Sequence, residues 1–201
     1  NQIDFRDNAW LLLNPRLEGE FRFGRGWAYG AEFLLRRLEG RLNGWLSYTL
    51  SRTERQIETI NDGRPYVSSF DRTHNLNLVL NYEASRRVTV SATWVYTTGA
   101  PVTFPSGRFA YGGQVVPVYT ERNAYRLPAY HRMDLGVTLR GNERPGRSFR
   151  GEWNFSLYNA YYRKNTWMID FRPDSSEPGK VDAYKVYLFP IIPAVTYNFF
   201  L

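Results

Sequence analysis

The stretch DRTHNLNLVLNYE, residues 71–83, decides how the rest of the chain reads. After His74 it alternates strictly. Leu76, Leu78, Leu80 and Tyr82 fall on one side, and Asn75, Asn77, Val79 and Asn81 on the other. Successive strand side chains point to opposite faces, so this period of two marks a strand with one apolar and one polar face. The stretch also holds one of only two histidines. The second lies in YHRMDLGVTLRG, residues 130–141, which alternates in the same way. Each histidine has an Arg and an Asp within three residues, a grouping that raises a metal site or an Asp–His pair. Parity separates the partners. His74 shares a face with Leu76 and His131 with Met133, whereas Asp71, Asn75, Arg132 and Asp134 fall on the opposite face. A metal site or a general base needs converging groups, and parity removes that convergence. No catalytic residue, metal site or cofactor is expected, and the protein is read as a non-enzyme.

Six further segments repeat the pattern, in 27–37, 42–51, 88–98, 130–140, 149–161 and 194–201. None of the seven apolar faces carries a charge at its centre. A strand of about 9–11 residues crosses a bilayer when tilted, and Lys or Arg at the midplane of a lipid-facing side costs on the order of 2–4 kcal/mol. The connections give a second signal. Those at 39–41, 83–87 and 141–148 are short, those at 53–71, 99–129 and 162–190 are long, and the two kinds alternate strictly. Outer-membrane barrels join their strands this way, with short turns on one side and long loops on the other. Segments 165–172 and 181–188 are expected to form a two-stranded extension. GRGWAYG, residues 24–30, lacks the spacing of a phosphate loop and reads as close backbone approach in a sheet.

Composition agrees. The chain has 201 residues, no cysteine, and 15 Tyr, 13 Phe and 6 Trp. Absence of cysteine excludes disulfides and thiolate chemistry. Tyr and Trp suit places where one end of a ring is apolar and the other wet. Mean hydropathy is −0.49, and no apolar run approaches the length of a membrane helix. The net charge of +7 comes from scattered arginines, not from a compact basic cluster, so nucleic acid is not an expected partner. The sequence starts at Asn1 without a leader pattern, which reads as a mature protein or a fragment.

Several segments taken together resemble a known family. YGAEFLLRRLEGRLNGWLSYTLSRTER (29–55), DRTHNLNLVLNYE and SATWVYTTGAPVTFP (91–105) are similar, in order, to the C-terminal barrel region of TonB-dependent outer-membrane receptors of the Bacteroidota type. NAYRLPAYHRMDLGVTL (123–139), SLYNAYYRKN (156–165) and FPIIPAVTYNFFL (189–201) extend the resemblance over the whole length. It implies an all-β, antiparallel transmembrane barrel of 22 strands, of which this chain supplies roughly the last seven or eight. It also implies an N-terminal plug outside this chain, an inner-membrane TonB complex acting through that missing part, and uptake of a siderophore, oligosaccharide or peptide. The location implied is the bacterial outer membrane with a periplasmic C-terminus. Expected partners are outer-membrane lipids and lipopolysaccharide, the barrel-assembly machinery, and a surface lipoprotein or other chain that completes the assembly. Tyr197, Phe199 and Leu201 fit the C-terminal assembly signal, although the family usually ends in Phe.

The candidate residues divide by position. Asp71, Asn75, Arg132, Asp134, Glu32 and Glu152 face the lumen by parity and are expected to contact plug or substrate, or to form one network that couples Asp71 to Arg132. Arg108, Tyr111, Tyr119, Arg122, Tyr125, Arg126, Trp167 and Tyr184 lie in the long loops, where recognition concentrates on rigid scaffolds. His74 and His131 read as interfacial anchors. Two other architectures fit the alternation: a small closed barrel of eight strands with a structural or adhesion role, and a soluble lipid-binding barrel.

Overall fold

The computed structural model describes residues 2–6, 14–112, 114–119, 121–141, 150–174 and 180–200. Its strands, in chain order, are β1 (Gln2–Phe5), β2 (Phe21–Arg37), β3 (Leu42–Gln56), β4 (Tyr66–Val67), β5 (His74–Glu83), β6 (Val88–Thr97) and β7 (Pro101–Val102). They continue as β8 (Gly107–Tyr111), β9 (Gln114–Val118), β10 (Tyr125–Arg126), β11 (Tyr130–Arg140), β12 (Arg150–Tyr158), β13 (Thr166–Pro173), β14 (Val181–Tyr187) and β15 (Ile192–Phe200). One antiparallel ladder runs β1-β2-β3-β5-β6-β11-β12-β15, with β4 added against the end of β3. Three small pairs, β7–β10, β8–β9 and β13–β14, lie in the long connections. Among the described residues no helix is long and apolar enough to cross a membrane.

The register turns each strand's alternation into two continuous surfaces. Phe33, Tyr48, Leu76, Tyr96 and His131 form one cross-strand row. The next row on that face is Leu35, Leu46, Leu78, Trp94 and Met133. Farther along come Leu42, Tyr82, Val90, Val137, Phe155 and Val195. The opposite face carries rows such as Glu32, Thr49, Asn75, Thr97 and Tyr130, or Asn43, Asn81, Ser91, Gly136, Ser156 and Ala194. A one-residue slip at any ladder would exchange the two surfaces on that strand. The apolar face is uncovered: Leu35 is 71% exposed, Phe33 64% and Phe199 63%.

The rows also reveal a stagger. Arg37, Gly44, Leu80, Ala92, Leu135, Leu157 and Pro193 share one row. It sits at the short turn for β2 and β3 but at the start of β15. The β5 strand continues past this row to Glu83, β11 to Arg140 and β15 to Phe200. The turn end therefore descends by about one residue per strand. With a rise of about 3.3 Å per residue and strands about 4.8 Å apart, that corresponds to strands inclined by roughly 35° to the normal of the plane of turns.

Three strand expectations change. The β2 and β3 strands run well beyond 27–37 and 42–51, so this hairpin projects past its neighbours at the long-connection end. Glycine permits part of that pairing: a Cβ on Gly30 would lie 2.4 Å from the Leu50 carbonyl oxygen. Within the segment expected at 149–161 the described strand is Arg150–Tyr158, which ends before 161 because the chain bends at Asn159, whose φ is 54°. A hairpin not individually read from the sequence, β8–β9, occupies 107–118. The extension expected at 165–172 and 181–188 is present as β13–β14.

The ladder does not close. No strand of the described residues pairs with the outer edge of β15, nor with β2 beyond the four residues that meet β1. A closed barrel of eight strands is thus not what this sheet forms by itself.

Candidate functional site at the long-connection end

A buried apolar cluster of Ile57, Ile60 and Tyr66 lies in the connection between β3 and β5. Around them the long connections are fastened by polar groups. Asp71, 1% exposed, accepts a hydrogen bond from the Thr53 N–H at 2.6 Å and from the Thr73 hydroxyl at 3.3 Å. It also forms a close ion pair with Arg126, whose guanidinium donates in addition to the Gly99 carbonyl at 3.2 Å. Burial pushes the Asp71 carboxyl up, but Arg126 and the Thr53 and Thr73 donors outweigh it and hold the group below the usual carboxylate range.

A second fastening ties the same two connections to β1. The Arg122 guanidinium donates to Asp4 at 2.8 Å and to the Phe5 carbonyl at 3.0 Å. Tyr66 donates its hydroxyl to the other Asp4 oxygen at 2.8 Å, and burial together with that carboxylate raises its phenol well above the ordinary range. The Asn61 side chain accepts from the Arg122 N–H at 2.7 Å, and Asn123 donates to the Val67 carbonyl at 2.8 Å. Asn61 and Asn123 both adopt positive φ, at 53° and 55°, a region that Asn tolerates better than most residues. Arg122 and Arg126, expected as ligand contacts, are therefore engaged in holding loops together.

The expected network linking Asp71 to Arg132 is corrected by this geometry: the structure divides it in two. Arg132 bonds to Asp134 at 2.8 Å on its own strand, donates to the Tyr130 hydroxyl at 3.0 Å and lies 4.1 Å from the centre of the Tyr158 ring. Asp134 accepts from the Asn159 N–H at 2.9 Å. Asn159, 1% exposed, accepts from the Arg163 N–H at 3.0 Å and donates to the carbonyls of Arg163 and Pro190. It thus clamps both ends of the last long connection. Asn75 lies between the two groups and accepts weakly from Asn77 and Thr97. The reason for the division is distance along the chain: Asp71 precedes β5 and answers to the loop, whereas Arg132 stands within β11.

The other expected residues scatter. Glu32 lies on the polar face of β2, paired with Thr49 of β3, where the other edge of β2 has no strand partner among the described residues. Glu152 is at the short-turn end, 3.6 Å from Arg140 and accepting from Asn198 at 3.2 Å. Tyr111, at 77% exposure, marks the tip of β8–β9; Trp167, at 62%, stands on β13 and Tyr184 on β14. Tyr119 follows β9 and is exposed, and Tyr125 stacks on Phe104 with ring centres 5.5 Å apart. Tyr197 and Phe199 lie on the apolar face of β15, with Tyr197 against Trp153 at 4.7 Å. Leu201 lies outside the described residues.

Both histidines stand on the apolar face, as parity requires. His74 Nδ1 is 2.8 Å from the Tyr48 hydroxyl and His131 Nδ1 is 2.8 Å from that of Tyr161. They belong to two stacks of rings bordering that face, Phe33–Tyr48–His74 and Trp94–Tyr96–His131. Among the described residues no group of three or more acidic or histidine side chains could hold a metal ion. Sequence reasoning missed Asn159, Asn123, Asn61 and Tyr66. Asparagines in non-strand segments were the available signal. Comparison with protein families, with curated proteins and with solved structures returns no match for this chain.

Proposed function

We propose that this chain is a sector of the wall of a large transmembrane β-barrel in the bacterial outer membrane, of the TonB-dependent receptor type. Its work is energy-coupled import of a scarce nutrient. The observation that carries this reading is the apolar face, unbroken across the ladder, on a sheet whose two lateral edges remain unpaired. Water disfavours so much exposed Leu, Phe and Val, while acyl chains accept it. The inclination of roughly 35° lies at the lower end of the range of about 35–45° found in such barrels. The ring stacks at His74 and His131 fit the outer headgroup level, and Tyr82, Trp153 and Tyr197 fit the inner one. In this reading β15 ends on the periplasmic side, the long connections face outward and meet lipopolysaccharide, and further strands pair with β2 and β15. The chain performs no covalent chemistry. Asp71, Asn123 and Asn159 hold the outer loops in position over the polar face.

Single-cysteine variants along β11 in the native gene product, labelled with a fluorophore, test the membrane placement. Quenching by spin-labelled lipids is expected at Met133→Cys, Leu135→Cys and Val137→Cys and not at Asp134→Cys, Gly136→Cys or Thr138→Cys. Equal quenching at both sets overturns the wall reading. Uptake that persists after the proton gradient is collapsed overturns the energy coupling.

A further inference from the structure

Two of the long connections carry hairpins that face each other. On β8–β9, Arg108 pairs with Pro117 and so shares one face with it. On β13–β14, Phe171 pairs with Ala183, whereas Asp170 pairs with Tyr184 and Arg172 with Asp182 on the other face. The charged face is internally satisfied: Arg172 bonds to Asp170 at 2.7 Å and lies 5.5 Å from the Tyr184 ring centre. Phe104 joins the two hairpins, edge-on to Phe171 at 5.3 Å and stacked on Tyr125. Between them lies a cleft of ≈ 390 Å³, lined by Pro105, Pro117, Phe171, Val181 and Arg108.

We propose that this cleft binds a small ligand with an apolar body and a single anionic group. The body lies between the prolines, Phe171 and Val181, and the anion meets Arg108. The volume falls within the range of small-molecule sites, which are apolar with a few placed polar groups. Among the described residues no group hydrogen-bonds or ion-pairs with the Arg108 side chain, and a guanidinium receives a carboxylate or phosphate in two parallel hydrogen bonds. The neighbouring Asp170 is already neutralised by Arg172 and does not compete. This inference names a substrate class for the receptor reading and rests on it only for the ligand's fate after binding.

The test uses the full native gene product in lipid nanodiscs, with empty nanodiscs subtracted, and ligand-observed NMR. Phenylbutyrate supplies body and charge, phenylbutanol the body alone, and acetate the charge alone. Phenylbutyrate is expected to bind about tenfold more tightly than either. Arg108→Gln is expected to bring phenylbutyrate level with phenylbutanol and leave phenylbutanol unchanged. Phe171→Ala is expected to weaken both. Equal affinity for acid and alcohol, or a preference that survives Arg108→Gln, overturns the proposal. Selective binding without energised uptake would sink the receptor reading and leave the site standing. Energised uptake without selective binding would do the reverse.

Discussion

The ladder and the long-connection end are built on opposite terms. The ladder is regular over many strands, yet its apolar side chains stay uncovered, with Phe33, Leu35 and Val195 each at 60% exposure or more. The long-connection end is irregular in sequence but holds the buried Ile57, Ile60 and Tyr66 and the buried polar groups Asp71, Asn123 and Asn159. A sheet that exposes its apolar face gains nothing from water exclusion within its own chain; its stability comes from backbone pairing and from whatever solvates that face. The loop end instead depends on a few hydrogen bonds, each of which is costly to leave half made. The lesson is that robustness differs: the ladder should tolerate conservative changes, while the loop end should fail at single atoms.

The largest effect is expected at Asp71. Replacing Arg126 by Met leaves a buried carboxylate unpaired, which costs about 3–5 kcal/mol. Denaturant unfolding of the gene product, with protease sensitivity of 57–73 and 99–129, would register it. The pH dependence has a definite sign. The Asp71 carboxyl is held below its ordinary value in the folded state, so its stabilising contribution is complete above about pH 4 and fades as pH falls through the depressed value. That acid limb should flatten in Arg126→Met.

Next comes the contrast between faces. Val137→Arg, on the apolar face, is expected to cost about 2–4 kcal/mol in lipid, against well under that for Thr138→Arg on the polar face. Equal costs, measured by unfolding in the same lipid, would remove the distinction on which the proposed membrane wall rests. Asn159→Ala comes third, at roughly 1–3 kcal/mol, since it strands the Arg163 N–H and two carbonyls. Faster hydrogen exchange confined to the last long connection would report it. The smallest effect is expected from Tyr48→Phe, which removes the partner of His74 but keeps the ring stack, at about 0.5–1 kcal/mol.

Much of the ladder was legible because strand parity is local. Leu76, Leu78 and Leu80 declare their face without any knowledge of neighbours, and His74 is carried along with them. The short-and-long alternation of connections likewise needed only counting. The sites inside the loops were not legible. Arg122 and Arg126 read as free cations for a ligand, and the fold pairs them with Asp4 and Asp71, residues 118 and 55 positions away. Arg132 read as Asp71's partner and instead serves Asp134.

The sequence by itself therefore determined most strands of the ladder, their two faces and the place of both histidines on the apolar face, since the alternation of side chains along an extended backbone is a property of each segment alone. Only the tertiary structure decided the stagger between strands, the unpaired edges, and which charges and asparagines meet at the long-connection end. Those depend on register and on contacts between distant segments, and nothing in the local order of residues encodes a distance between loops.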